Sequence, residues 1–295
     1  EHFAHLDVHP QRPRTRRFPM TDRYAVIGNP IAHSKSPQIH AAFARQTGQD
    51  IEYTRLLAPL GGFRGTVESF RAAGGKGANV TVPFKLEAFD LADEVSQSAK
   101  DAQAANFLNF DSGRIRADNT DGAGLIRDIT GNLDFSIGGR RVLLMGAGGA
   151  ARGALQPLLA QQPAILAIAN RTVEKALQLA ETFRYQPSAA SSVLSGLRYD
   201  ELVGHHFDLV INATSSSLQG ELPPLPSGVF AGGSLAYDMM YGKGLTLFLA
   251  FAQFHGAARL ADGLGMLVEQ AAESFFLWRS VRPETRPVIE LLRNQ

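Results

Sequence analysis

Arg141-Val-Leu-Leu-Met-Gly-Ala-Gly-Gly-Ala-Ala151 reads as a strand running into a glycine turn, with Arg152 to Gln161 as the helix behind it. Four consecutive apolar residues fit a strand covered on both faces. The glycine turn lets backbone approach a ligand closely, and the helix N-terminal amides suit a pyrophosphate. A second apolar run, Ala164 to Ala169, supplies the next strand. At its end stands Asn170-Arg171-Thr172, where an Asp or Glu would accept a free ribose 2′-hydroxyl. A guanidinium suits a 2′-phosphate instead, so the pattern favours NADP over NAD.

Working outward, the order from Arg140 is strand, glycine loop, helix, strand, helix (Val173 to Phe183), a variable polar stretch, then a strand at Phe207 to Asn212. That is the order of a Rossmann unit. Ser234 to Met239 is a further strand, and Thr246 to His255 and Leu267 to Trp278 have helical spacing. Upstream, strands are expected at Tyr24 to Gly28, Glu52 to Leu57 and Ala78 to Val82, with helices from Pro37 to about Gln46 and over Phe63 to Ala73. Phe84 to Leu91 and Val95 to Gln103 read as helices, Ala105 to Phe110 and Arg114 to Ala117 as a short pair. Asp118-Asn-Thr120 would cap a helix over Asp121 to Ile129.

The fold class that follows is α/β with two domains: an N-terminal α/β substrate domain and a Rossmann-type NADP-binding domain, with the C-terminal helices returning to the first. The expected limits are 20–120 plus 257–295 for substrate and 121–256 for cofactor. Residues 1–19, rich in His, Arg and Pro, read as an extension without fixed structure. His2, His5 and His9 there lack the surroundings that build a metal site.

The chain has 295 residues, long enough for two cores. Lys plus Arg number 29 against 28 Asp plus Glu, which recommends neither nucleic acid nor an anionic membrane as partner. Small molecules are the expected ligands, and a monomer or homodimer the expected state. Cysteine is absent, which removes thiolate metal sites and cysteine nucleophiles and fits a reducing, cytoplasmic setting. No metal is expected.

Three short motifs carry chemistry. Ser34 and Ser36 precede a helix start and suit a carboxylate, although Ser36 also reads as a simple cap. Lys85 follows a proline turn at the end of a strand, where α/β sheets present functional groups; a solvated lysine is the competing explanation. Asp118 and Asp121 offer two carboxylates at a helix start. His33 and the pair His205-His206 read as structural or surface residues, and Phe275, Phe276 and Trp278 as helix packing.

Pro30 to Pro37, Gly74-Gly-Lys-Gly-Ala-Asn-Val-Thr-Val-Pro-Phe-Lys85, Asp118 to Gly122, Gly146 to Gly149, Asn170-Arg-Thr172, Asn212-Ala-Thr-Ser-Ser216, Tyr237-Asp-Met-Met-Tyr241 and Ala261 to Leu267 occur together in one order. In this the chain resembles the shikimate dehydrogenases, over residues 20 to about 290. The resemblance implies NADPH-dependent reduction of 3-dehydroshikimate to shikimate, on the route to chorismate and the aromatic amino acids. It implies Lys85 as the acid/base and Asp121 as its coupled, substrate-orienting partner. Ser34, Ser36 and Tyr241 would hold the substrate carboxylate; Thr81, Asn106, Asp121 and Gln270 would contact the carboxylate end and the ring hydroxyls. For the cofactor it implies Gly146, Ala147, Gly148, Gly149 and Ala150 at the pyrophosphate, and Asn170, Arg171, Thr172 and Lys175 at the adenosine ribose and its phosphate. Met239 and Gly263 would lie at the nicotinamide. Two positions depart from the family pattern: Phe107 stands where Thr is usual, and Lys175 where a second Arg is usual. The related quinate/shikimate dehydrogenases, which accept NAD, tend to carry an acidic residue where this chain has Arg171.

Overall fold

The computed structural model describes residues 21–189, 192–214, 216 and 220–294; the extension 1–19 and its histidines lie outside them. The chain runs β1 (Asp22–Gly28), α1 (Ser36–Thr47), β2 (Ile51–Leu57), α2 (Phe63–Ala72), β3 (Gly75–Val80), α3 (Lys85–Leu91), β4 (Glu94–Val95), α4 (Gln97–Ala102), β5 (Phe107–Asp111), β6 (Arg114–Asp118) and α5 (Asp121–Arg127). It continues through β7 (Arg141–Met145), α6 (Gly149–Ala160), β8 (Ile165–Ala169), α7 (Val173–Arg184), β9 (Val193–Leu197), β10 (Phe207–Asn212), β11 (Phe230–Asp238), α8 (Leu247–Phe254), β12 (Arg259–Asp262), α9 (Leu264–Arg279) and α10 (Arg286–Arg293).

Among the described residues the strands form two six-stranded sheets. The first, ordered β2-β1-β3-β5-β6-β4, is parallel at β2-β1-β3 and turns antiparallel at β5. The second, ordered β12-β11-β10-β7-β8-β9, is parallel throughout. Counted from β7 and read from the β9 edge, its strands stand in the order third, second, first, fourth, fifth, sixth, the doubly wound arrangement in which dinucleotides bind where the order reverses. Burial explains the central strands: Val142 to Met145 and Leu166 to Ala169 are almost wholly inaccessible, with helices on both faces.

Several elements differ from the sequence reading, among them α5, which ends at Arg127 and passes into a π-helical turn at Asp128–Asn132, and β11, which begins at Phe230. The polar stretch after α7 contains β9, an edge strand whose first residue, Val193, is exposed and gives little apolar signal. Val95 ends the two-residue strand β4, and α4 begins only at Gln97, capped by Ser96, whose hydroxyl accepts the Ala99 N–H. Arg259 to Asp262, in the segment 257–295, is β12 and pairs with β11 in the second sheet. Helices α9 and α10 pack instead with α1 beside the first sheet. Val268 and Phe275 of α9 and Val288 and Leu292 of α10 share a core with Ile39 and Phe43 of α1.

Helix α5 packs against α6 on one side and α9 on the other, and glycine permits both approaches. A Cβ on Gly122 would stand 2.5 Å from the Gly153 carbonyl oxygen of α6, beside Pro157. One on Gly124 would stand 2.7 Å from the Gln270 nitrogen of α9. Two residues turn an α-helix by about 200°, so these contacts face nearly opposite ways.

Candidate active site

Each functional side chain is aimed by a short, well-anchored segment. At the end of β3, the turn Thr81 to Phe84 closes with the Phe84 N–H donating to the Thr81 carbonyl at 3.0 Å. Phe84 is fully buried and stacks on Phe63 at 5.2 Å, which fixes the start of α3 and hence Lys85. Asp121 opens α5, with its N–H donating to Asn119 Oδ1 at 3.1 Å. These two helix starts bring Lys85 Nζ to 2.5 Å from Asp121 Oδ2, both side chains half-buried.

Asn106 braces that carboxylate. Its Nδ2 faces Asp121 Oδ1 at 2.8 Å, Thr120 Oγ1 at 3.0 Å and Gln270 Oε1 at 3.2 Å, while its Oδ1 accepts the Thr120 N–H at 2.8 Å. Two amide hydrogens serve three acceptors, so Asn106 holds the pocket together before any ligand arrives. Phe107 does not disturb this. Strand alternation sends its ring to the other face, where it stacks on Trp278 at 5.0 Å.

The serine loop differs in one detail from the sequence reading. Ser36 is the first residue of α1 and its hydroxyl caps nothing; Ser34 Oγ accepts the Ser36 N–H at 3.3 Å and lies 3.2 Å from Ser36 Oγ. The chain enters the helix one residue earlier than Pro37 suggests, so Ser36 is already inside it and Ser34 meets the free N–H. Arg55, which sequence reasoning missed, secures the loop by donating to the Ser34 carbonyl from Nε at 3.0 Å and Nη2 at 2.5 Å.

One cavity of about 300 Å³ is lined by Ser34, Ser36, Thr81, Lys85, Asn106, Asp121, Tyr241 and Gln270, together with Met239 and Gly263. All eight residues expected at the substrate and both expected at the nicotinamide therefore meet. Burial pushes the Tyr241 phenol above its ordinary pKa, so it stays a neutral donor. Asn79 and His33 also line this cavity. Asn79 was legible as the same-face neighbour of Thr81, two residues earlier; it accepts from Tyr53 Oη at 2.7 Å and donates to Ser274 Oγ at 2.8 Å. His33, read as structural or surface, is exposed at the rim; His205 and His206 are exposed elsewhere.

A second cavity, about 290 Å³, lies at the C-terminal ends of β7 and β8 and is lined by Ala147, Gly148, Asn170, Arg171, Thr172 and Lys175. Thr214 and Ser216, from the Asn212 to Ser216 motif, line it too, and Tyr199, Pro223 and Pro224, not anticipated, complete its wall. Gly146, with φ of +105°, makes the turn that an L side chain resists. Gly148, Gly149 and Ala150 are exposed at the start of α6, where no side chain caps the helix and a Cβ on either glycine would meet nothing within 4 Å. Open space above uncapped amides, with Arg171 and Lys175 beyond, fits a pyrophosphate and a further phosphate.

Fold and site thus define a two-unit α/β protein of the dinucleotide-binding class, with a lysine–aspartate pair in a polar cavity beside the glycine loop. Family models describe the shikimate dehydrogenase substrate binding domain over residues 26–108, shikimate / quinate 5-dehydrogenase over 128–219 and the shikimate 5'-dehydrogenase C-terminal domain over 263–293. The shikimate dehydrogenase (NADP(+)) of Nitrosospira multiformis is 65% identical over 275 residues, 93% of this chain and 98% of that one. That of Dechloromonas aromatica is 60% identical over 274 residues, 93% and 98% of the two chains. Among solved structures, an Ael1 enzyme from Pseudomonas putida matches with a TM-score of 0.87 at 54% identity, over 92% of this chain and 98% of that one. Shikimate 5-dehydrogenase of Thermus thermophilus, in complex with NADP(H) and shikimate, matches with a TM-score of 0.80 at 30% identity, over 92% and 99%. The chain belongs to the shikimate dehydrogenase family.

Proposed function

We infer that this chain catalyses the reversible NADPH-dependent reduction of 3-dehydroshikimate to shikimate, the step that leads toward chorismate and the aromatic amino acids. Membership of the family and relatives named as NADP(+) enzymes at 60% identity and above support the reaction and the cofactor. The assignment of roles rests chiefly on one observation: the Lys85 ammonium sits 2.5 Å from Asp121 in the wall of a cavity that also presents the Ser34 and Ser36 hydroxyls.

Bound NADPH supplies the hydride. Lys85 donates a hydrogen bond to the substrate carbonyl oxygen, stabilises the negative charge that grows there and passes it a proton; in the reverse direction it takes that proton up. Asp121 aims the ammonium and is itself held by Asn106. Ser34, Ser36 and Tyr241 donate to the substrate carboxylate, and Thr81, Asn106, Asp121 and Gln270 contact the carboxylate end and the ring hydroxyls, with Asn106 releasing one of its internal contacts as it does so. Gly146 to Ala150 receive the pyrophosphate, Asn170 to Lys175 the phosphorylated ribose, and Met239 and Gly263 the nicotinamide end.

The proposed substrate unit is 20–120 plus the C-terminal helices, and the cofactor unit starts at 121. Its far limit moves from 256 to past Asp262, because β12 hydrogen-bonds to β11. No helix among the described residues is long and apolar enough to cross a membrane; a cytoplasmic monomer or homodimer is the proposed state, and sedimentation of the purified chain tests its oligomeric part. Initial rates with NADP⁺ and NAD⁺, each against shikimate and quinate, test the reaction. Turnover of shikimate with NADP⁺ far above the other three pairings is expected. Comparable rates with quinate or NAD⁺ would favour a quinate/shikimate dehydrogenase, which Arg171 argues against.

A further inference from the structure

Arg171 does not wait for its ligand unpartnered. Its Nη2 lies 2.9 Å from Glu221 Oε2, a residue that arrives from a loop fifty positions further along the chain. Glu221 is anchored beside the same cavity: its N–H donates to the Ser216 carbonyl at 2.9 Å, and Ser216, Pro223 and Pro224 line the wall with Arg171. Lys175, the other cation of this wall, has no ion pair among the described residues. The carboxylate therefore cancels one of two positive charges at the place where a ribose phosphate of about −1.5 to −2 would arrive.

The exposures decide which partner wins. The Arg171 and Glu221 side chains are 72% and 52% exposed, and an exposed pair is worth about a twofold to fivefold change in an equilibrium constant. A charge-assisted contact between guanidinium and phosphate is worth roughly tenfold to a hundredfold. Phosphate displaces Glu221, but against its opposition. A cofactor without the 2′-phosphate has no such contest to enter.

We propose that Glu221 is a specificity-determining residue which competes with the 2′-phosphate of NADP(H) for the Arg171 guanidinium and so holds the preference for NADP over NAD below what the site could reach. This rests on the assignment of Arg171 to the 2′-phosphate. A carboxylate on the ribose-binding strand would discriminate by meeting the cofactor directly. Glu221 acts instead through another side chain, and that difference is testable.

Calorimetric titration of the full chain with NADP⁺ and with NAD⁺, in wild type, Glu221→Gln, Arg171→Ala and the double variant, separates the possibilities without relying on turnover. Glu221→Gln is expected to tighten NADP⁺ about twofold to fivefold, more at low salt, and to leave NAD⁺ unchanged. In the Arg171→Ala background the same substitution should do nothing, because the competition has lost its object. Equal NADP⁺ affinity in wild type and Glu221→Gln overturns the proposal. So does tightening that persists without Arg171, which would mean simple repulsion between carboxylate and phosphate. If Arg171→Ala itself leaves NADP⁺ binding intact, the assignment of Arg171 fails, and that result is visible separately from either of the others. Unchanged NAD⁺ affinity and melting temperature in Glu221→Gln exclude a folding defect.

Discussion

The cavity around Lys85 and the rim around Arg171 are built on opposite plans. Around Lys85, polar groups are buried and already bonded to one another: Asn106 is 3% exposed, Thr120 is 1%, and each has several partners. Around Arg171 the charges are solvated and meet in a single displaceable pair. A buried network fixes positions to the precision that proton transfer needs, since an unmet polar group there is costly. A solvated rim sets affinity by charge and tolerates looser geometry. Substitutions in the first region should therefore change turnover, and those in the second should change cofactor binding.

The largest expected effect tests the buried pole. Lys85→Ala should lower kcat by roughly a hundredfold or more, the scale of losing a general acid/base, with much less change in KM. Steady-state kinetics at saturating NADP⁺ checks it, and near-wild-type turnover would remove Lys85 from its role. Next, Arg171→Ala should weaken NADPH by about 2 kcal/mol and NADH far less. Equal losses for both cofactors would erase the contrast between the two regions.

A third, smaller effect concerns pH. His40 is fully buried behind the serine loop, stacked on Tyr53 at 4.1 Å, with neither ring nitrogen hydrogen-bonded. Burial pulls its pKa down to about 3, with Asn79 alongside opposing the shift. The unfolded chain binds a proton near pH 6.5 that the folded chain refuses until about 3, so the associated stability is complete above 6.5 and is lost as pH falls toward 3. The slope is about 1.4 kcal/mol per pH unit in that window. Denaturant unfolding of His40→Phe, which keeps a stacked ring, should show a shallower loss between pH 6.5 and 5; parallel curves would show that His40 is not the group responsible. The smallest effect belongs to Lys175→Arg, expected to change NADP⁺ affinity by under about 1 kcal/mol, because charge at the rim matters more than a planar fork. A titration showing a tenfold gain would mean the rim demands geometry after all.

Much of this was legible in the residues because the determining groups are close in sequence. The strand, glycine turn and helix at β7 and α6 follow one another without a break, and Lys85 follows directly from its own strand. What escaped depends on distant chain crossings. Arg55 reaches Ser34 from a neighbouring strand, Tyr199 enters the cavity beside Arg171 from beyond β9, and Glu221 meets Arg171 across a fifty-residue gap. Edge strands β9 and β12 escaped because a strand with one open side needs few apolar residues. Phe107 departs from the family pattern right after Asn106, and the pleat turns it into packing for Trp278.

Helix α5 has a mechanical meaning as well as a chemical one. Its glycines let α6 press from one side and α9 from the other, so it occupies the place of an axle between two jaws. In any swing of one jaw against the other, points at the axle travel least and points at the rim travel most. Asp121 is the first residue of that helix, whereas Arg171 follows β8 in the second sheet. The carboxylate that faces Lys85 therefore sits at the start of the one helix that α6 and α9 clasp between them.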